Sequence, residues 1–459
     1  MPLDITFLDR LRTFFSPRDL TIDAAECLAY GYDNSRREAQ PQAVVFPTSH
    51  EQVVALVQSC RDAGVALTAR GRGTNTTGAS VPVAGGIVAS FERMNRILRI
   101  DNDDRVAIVE PGVLNGDLQI ALSERGFFWA PDPTSAPYCT VGGNIACNAG
   151  GPRAVKYGAT RDNVLALRAV AGSGEDFRCG NPTTKGATGY DLTRLLIGSE
   201  GTLAIVTEAT VKLTPLASAK RTLRATYADI ESAARAVGRI MAQPITPCAL
   251  EFLDDQALRL AHAHGGDSIP LAGAMLLIEV DGAADALAAA VSAIETTARG
   301  EGLLDLVAAN DASEVEKLWT ARKALSPALR TLAPNKINED VVVPVSRMPA
   351  LIAGLKQMSV RYGIPIVTFG HAGNGNIHVN LLYQPSDPNQ VANAPVCLAA
   401  VFDLVLALDG TLSGEHGIGL AKRDFMTRAL DPHALALMHR IKAQFDPDGI
   451  LNPGKLLPP

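Results

Sequence analysis

The sequence predicts an α+β protein built in two successive parts, and three observations carry that reading. At 459 residues the chain is longer than one hydrophobic core comfortably serves. Short apolar runs separated by Gly/Pro turns fill the stretch to about Pro215, as in a strand-rich domain. Beyond Leu216 strands alternate with Ala-rich helices, the pattern of a sheet with helices on one face.

The elements follow in order. Residues 1–40 read as a helical lead, Leu8 to Phe15, and a polar stretch around Tyr32 to Gln40. From Ala43, AVVFP, then EQVVALVQSCRDAG with apolar residues at helical spacing, then VALTARGRGTN form a βαβ unit opening on a glycine loop. GIVAS, RVAIVEPGV, VLALRAVAG and TLAIVTEATVKL are strands, with glycines expected between strands and not inside helices. In the second part RTLRATY, ALEFL and LAGAMLLIEVDG are strands, and IESAARAVGRIMAQ and DQALRLAHAH are helices. IPIVTFGHAGNGNIHVNLLY reads as strand, glycine loop, strand, and CLAAVFDLVLALDG as a helix. The expected domains are 1–40, 41–216, 217–420 and 421–459.

Composition narrows the function classes. Hydrophobic residues at 47% and charged residues at 20% exclude a predominantly disordered chain. A net charge of −6 with no long basic run argues against nucleic acid as a partner. MPLDITFLDRLRTFF has acidic residues where a secretory signal needs positive ones, and no run of about 20 uncharged apolar residues occurs. The seven cysteines (27, 60, 139, 147, 179, 248 and 397) show no C-x-x-C spacing, which fits a reducing cytoplasm.

Three glycine-rich segments stand out. GRGTNTTGAS (Gly71 to Ser80) follows a strand and can wrap backbone N–H groups around a pyrophosphate. Its Gly71, Gly73 and Gly78 do not have the G-x-G-x-x-G spacing of a nicotinamide site. PDPTSAPYCTVGGNIACNAGGPRAVKYGATRDNV and TKGATGYDLTRLLIGSEGTLAIVTEATVKL add further loop glycines, too many for unrelated tight turns.

These segments resemble the FAD-binding domain of the vanillyl-alcohol oxidase/p-cresol methylhydroxylase superfamily across roughly residues 40 to 215. The resemblance implies that Arg70, Gly71, Arg72, Gly73, Thr74, Asn75 and Gly78 lie along the FAD pyrophosphate. It gives Pro133, Thr134, Ser135, Gly142, Gly143, Asn144 and Asn148 to the diphosphate and isoalloxazine. Glu200, Gly201 and Ile205 would hold adenine and flavin by backbone contacts. The first loop has no His, and CTVGGN around Cys139 departs from the covalently linked members, so non-covalent FAD is expected.

His371 and His378 in FGHAGNGNIHVN, with Glu415-His416 in SGEHGIG, supply two imidazoles and a carboxylate suited to a divalent metal, Zn²⁺ or Mn²⁺. Removing hydride from C2 of a 2-hydroxy acid is easier as its hydroxyl proton leaves, and a bound metal acidifies such a group. An imidazole with an ordinary pKa of about 6.5 is matched to take that proton, which makes His416 the candidate base. The remaining histidines, 50, 262, 264, 433 and 439, are read as ordinary surface or core residues. WTARKALSPALRTLAPNKINEDVVVP offers Arg322, Lys323, Arg330 and Lys336 to an anionic substrate. Arg322 can grip a carboxylate in bidentate fashion, whereas Lys323 and Arg330 read as a solvated helix face.

This second half resembles the C-terminal domain of the FAD-linked D-lactate dehydrogenase, glycolate oxidase and D-2-hydroxyglutarate dehydrogenase group, through the terminal FDPDGILNPGK. The resemblance implies a two-part FAD-binding domain of the p-cresol methylhydroxylase type, then a substrate (cap) domain with an antiparallel sheet and helices, then a C-terminal segment returning to the flavin. It implies a metal on His371, His378 and Glu415, His416 as base, and Arg322, Lys336 and Ser326 at the substrate, with Asn452 close to the flavin. Asn374 and Ser326 depart from common Asp and Thr, which leaves D-lactate, glycolate and D-2-hydroxyglutarate or D-malate open. Without a haem, iron–sulfur or nicotinamide signature, the expected acceptor is a quinone, a cytochrome or an electron-transfer flavoprotein. Peripheral membrane contact and a homodimer are compatible with the sequence. A non-catalytic flavin-binding subunit would lack the His/Glu-His set, and an alkylglycerone-phosphate synthase would need phosphate-binding features not evident here.

Overall fold

The computed structural model describes residues 3–266 and 269–459, the side chain of His264 excepted. The chain divides into two compact units. Unit 1 gathers residues up to 150, 158–216 and 415–459, and unit 2 gathers 151–157 and 217–414.

Unit 1 carries two sheets. The first orders β1 (Leu20–Thr21), β2 (Ala43–Val45), β4 (Ile87–Ser90) and β3 (Leu67–Arg70), with β2 and β3 both parallel to β4. The helix His50–Ala63 joins β2 to β3, entered through the Ser49 cap and left through Gly64 in the left-handed region. Its Val53, Leu56, Val57 and Cys60 recur at helical spacing and pack with Phe7, Leu11 and Phe15 of the lead and with Leu67 and Ile87. The lead helix spans Ile5–Arg12, three residues earlier than its apolar run indicates, because Asp4 caps it. The second sheet is antiparallel throughout, in the order β5 (Ile97–Asp101), β6 (Val106–Val109), β10 (Ala204–Lys212), β8 (Val164–Ala171), β9 (Asp176–Gly180). A two-stranded pair, β7 (Phe127–Phe128) with β11 (Thr214–Pro215), closes the unit. The C-terminal segment returns beside β3, where Leu67 N–H donates to Ile450 O and Asn452 N–H to Leu67 O at 2.8 Å each.

One expectation about the glycines changes. Gly142 and Gly143 lie inside a helix, Val141–Cys147, capped by the Thr140 hydroxyl and ended by Asn148 at φ 53°. A Cβ on Gly142 would stand 2.6 Å from Pro111 Cβ, so glycine here allows close packing of the helix instead of making a turn.

Unit 2 is built on one seven-stranded antiparallel sheet. Its order is β15 (Leu303–Ala308), β12 (Ala219–Tyr227), β14 (Ala274–Gly282), β13 (Ala249–Asp254), β17 (Ile366–His371), β18 (Asn376–Tyr383), β16 (Asn335–Val342). Every residue of β13 and β17 is buried, so helices cover both faces and not one. Asp255–Gly265 and Ala312–Ala328 pack on the face that carries Leu253, Val367, Phe369 and Leu382. Among the described residues, the helix Pro388–Ala407 is long and apolar enough to cross a membrane, with a mean hydropathy of 1.7. Asp403 and the flanking Asn and Gln residues break up its apolar run. Its Ala394, Cys397, Val401, Phe402 and Val405 are buried within unit 2.

Candidate active site

In unit 1 a cleft lies between the end of β3, the helix Val141–Cys147 and the start of β10. Arg70, Gly71, Gly142, Gly143, Gly201 and Ile205 line it, together with Thr140, Ser199 and apolar Phe91, Ile145 and Leu196. The absent side chains make the room: a Cβ on Gly71 would stand 2.5 Å from Thr140 Oγ1. A mostly apolar wall with exposed backbone suits a flat ring system joined to a phosphate chain. In the third glycine segment Ser199 and Gly201 reach this cleft, whereas Gly186 and Gly189 sit in an exposed loop.

Several polar side chains expected along the cofactor have protein partners in unit 1. The buried Arg70 guanidinium donates to Tyr32 O at 2.7 Å and contacts Ala29 O, which organises the N-terminal segment. Arg72 pairs with Glu92 at 3.4 Å. Asn75 donates to His416 O at 2.9 Å and accepts from Thr77 and Ala79. Asn144 accepts from Asn115 at 3.0 Å and donates to Cys139 Sγ at 3.3 Å, and Asn148 accepts from Arg161 N–H at 2.9 Å. Pro133 and Ser135 accept backbone bonds from Ala136, Tyr138 and Cys139, which makes the Pro133–Thr134–Ser135 stretch a tight turn. Glu200 accepts from Ile418 N–H at 2.5 Å and Gly419 N–H at 2.8 Å, and burial pushes its carboxyl up to about 7 against those donors. Asn452 donates to Ala79 O and Glu200 O and accepts from Lys455.

Unit 2 carries His371, His378, Arg322, Ser326 and Lys336, and His371 and Arg322 meet on a residue that the sequence reading missed. His371 ends β17, and His378 lies on the neighbouring strand β18, their ring centroids 5.3 Å apart at 83°. Glu251, fully buried on β13 and directly opposite His371, accepts from His371 Nδ1 at 2.6 Å through Oε1. Its Oε2 accepts from Arg322 Nε at 2.8 Å and from Nη2 at 2.6 Å. Burial alone would raise the Glu251 carboxyl, but His371 and Arg322 outweigh it and leave the group below the usual carboxylate range. A His whose Nδ1 is held by a carboxylate presents Nε2 to a metal, so the donor set fits a divalent cation. A lone Glu inside the apolar run ALEFL is the signal that could have found this residue.

Arg322 lies over the Phe369 ring at 4.8 Å, on the helix face that also carries Ser326 one turn later. Lys336 on β16 donates to both Ser326 O and Ser326 Oγ at 2.9 Å, which brings those two predicted residues together. Lys323 and Arg330 are exposed, as expected. Asp340, fully buried on β16 and paired with His378 in register, accepts from Ser413 Oγ and from Gly414 N–H at 2.9 Å. Unit 2 thus ends anchored beside β18, and Glu415 and His416 open the return of the chain into unit 1. Among the other histidines, His50 packs between Thr207 and Asp176, His262 bonds Ile269 O, and His433 and His439 are exposed. The side chain of His264 lies outside the described residues.

A glycine-lined cleft in a two-sheet unit, followed by a seven-stranded antiparallel unit, defines a flavoprotein of the p-cresol methylhydroxylase fold. The solved structure of p-cresol methylhydroxylase with substrate bound superposes with a TM-score of 0.82 at 16% identity, over 98% of this chain and 96% of that one. The FAD linked oxidases C-terminal domain model matches residues 216–456, and the FAD binding domain model matches residues 41–180. The chain is 38% identical to the glycolate oxidase subunit GlcD of Bacillus subtilis (strain 168), over 96% of this chain and 94% of that one. It is 33% identical to the D-lactate dehydrogenase of Anaerostipes hadrus, over 91% and 90%. It is 34% identical to the D-2-hydroxyglutarate dehydrogenase of Stutzerimonas stutzeri (strain A1501), over 99% and 99%. The chain belongs to the FAD linked oxidases, in the group that includes these three relatives, and is an FAD-linked oxidoreductase.

Proposed function

We propose that the chain oxidises a small D-2-hydroxy acid, D-lactate foremost, to the 2-keto acid. The supporting observation is the Glu251 bridge, in which one buried carboxylate fixes an imidazole and a guanidinium side by side on one sheet face. FAD, when bound, would supply the acceptor for the C2 hydride, and His371, His378 and Glu415 would hold a divalent metal that supplies Lewis-acid chemistry at the hydroxyl. Glu251 keeps the His371 proton on Nδ1 and holds Arg322 with donors to spare for a carboxylate. Lys336, steadied by Ser326, adds the second cation for the substrate anion. His416 takes the hydroxyl proton. Electrons then leave to a quinone, a cytochrome or an electron-transfer flavoprotein. Glycolate is the second reading, favoured by the 38% identical glycolate oxidase subunit.

Anaerobic titration with D-lactate, L-lactate, glycolate and D-2-hydroxyglutarate tests the assignment by bleaching of the flavin. D-Lactate is expected to reduce the flavin fastest, and His416→Ala to stop reduction with FAD still bound. Bleaching by none of the four, or an unchanged rate in His416→Ala, would overturn it.

A further inference from the structure

The turn that carries His416 is gripped from three sides within unit 1. Asn75 donates to the His416 carbonyl at 2.9 Å. Glu200 accepts from the next two available N–H groups, Ile418 at 2.5 Å on Oε1 and Gly419 at 2.8 Å on Oε2. Leu420 and Ala421 then donate to Thr77 O at 2.8 and 3.0 Å, and Leu456 of the C-terminal segment donates to Gly419 O at 3.2 Å. Gly417 and Gly419 stand at φ 82° and 50°, conformations that let the chain bend around a carboxylate. A Cβ on Gly417 would stand 2.5 Å from Glu200 Oε1, so the turn and the carboxylate are built against each other.

We infer that Glu200, assisted by Asn75, is a positioning residue for His416 and not a flavin ligand. The inference rests on the reading of His416 as the base. The Glu200 side chain is fully engaged by the turn, and its backbone is fixed at both ends. Its N–H donates to Ala146 O at 2.8 Å, and its carbonyl accepts from Asn452 at 2.7 Å. A base must be held to within a fraction of an ångström of its working geometry. Two backbone donors converging on two oxygens of one buried carboxylate supply that restraint. Only a carboxylate satisfies both: an amide at this position offers one acceptor and sets its NH₂ against the other N–H. The loops that line the cofactor cleft and the turn that carries the base are thus one hydrogen-bonded assembly, with Asn75 and Glu200 as the links.

Glu200→Gln tests this because it keeps the shape and removes one acceptor. The variant is expected to bind FAD within about 3-fold of wild type, by fluorescence titration of the apoprotein. Its flavin should be reduced by the 2-hydroxy acid about 10–100-fold more slowly, with little change in KM and with a shifted pH profile of reduction. A purely structural role would lower the melting temperature and leave the pH profile in place, which overturns the inference. Loss of FAD affinity by more than about 10-fold also overturns it, because Glu200 would then be a flavin ligand. Should Glu200→Gln fail to fold, Asn75→Asp decides: it keeps the acceptor for Thr77 and Ala79 and turns an oxygen toward the His416 carbonyl, with the same slowing expected. Wild-type reduction rates in both variants, with His416→Ala inactive, defeat the positioning role alone. Wild-type reduction in His416→Ala defeats the assignment of the base itself.

Discussion

Replacing Glu251 by Gln isolates what a buried carboxylate does at the centre of unit 2. Glu251 is fully buried, and its two oxygens are divided between His371 Nδ1 at 2.6 Å and the Arg322 guanidinium at 2.6 and 2.8 Å. Gln keeps an oxygen for Arg322 but leaves that guanidinium, only 7% exposed, without a counter-charge. Breaking a buried ion pair by removing one partner costs about 3–5 kcal/mol. Across the roughly 200 residues of unit 2 that corresponds to a fall of about 6–20 °C in its melting temperature. The amide NH₂ then faces His371 Nδ1 and donates to it, which moves the ring proton to Nε2 and blocks the nitrogen that a metal would use. Affinity for Zn²⁺ or Mn²⁺ should fall by about 10–100-fold. Differential scanning fluorimetry reads the first effect, and isothermal titration with the metal chloride reads the second. A Glu251→Gln protein that melts within about 2 °C of wild type and titrates metal as wild type does would refute the bridge as the organising feature of this site.

Three further outcomes follow from separate places in the fold. Burial pushes the Asp254 carboxyl from an ordinary 3.8 up to about 7, although Ala257 N–H and Thr368 donate to it. A folded-state pKa above the unfolded one gives stability that is complete at low pH and lost as pH rises through 7, about 4 kcal/mol in all. Urea unfolding at pH 4.5 and 7.5 should show about 3 kcal/mol of that loss in wild type and little of it in Asp254→Asn; an equal change in both proteins would refute it. Lys336→Met keeps the stem and removes the charge, so KM for the hydroxy acid should rise about 10-fold with FAD affinity unchanged, and an unchanged KM would remove Lys336 from the substrate site. Gly142→Ala places a methyl 2.6 Å from Pro111 Cβ and 2.9 Å from its carbonyl oxygen, which displaces the helix Val141–Cys147 against Pro111, itself part of the cleft lining. FAD binding measured by fluorescence should weaken at least about 10-fold, and wild-type affinity would show that the helix is not part of the cradle.

Most strands were legible because their apolar runs are bounded by turn residues: AVV, IVAS, VLALRAVA, AIVTEATVK and the pair IVTFGH and NIHVNLLY all form where the pattern puts them. VGGNIAC was not, because two glycines in seven residues read as loop by propensity. There the tertiary demand won: only a side-chain-free helix face fits against Pro111, and Thr140 and Asn148 supply the start and stop that the glycines do not. The number of helical layers on the second sheet was equally hidden, since alternation of elements along the chain does not say to which face each helix returns.

The candidate site divides along a similar line. Residues that stand in dense motifs announced themselves: the histidines at 371 and 378, the Glu-His pair at 415 and 416, and the glycines of three loops. Residues that hold those groups in place did not, because no motif in the local sequence marks them. Glu251 interrupts a strand that reads as core, and Asp340 closes the polar half of β16, where it reads as one more exposed charge. Yet a carboxylate in a buried strand is costly unless a cation or several donors meet it. Both meet that condition here, Glu251 with His371 and Arg322, Asp340 with Ser413 and the Gly414 N–H. Glu200 adds a third case: it stands in a glycine motif, and its buried carboxylate accepts from the Ile418 and Gly419 N–H groups of the peptide that follows His416.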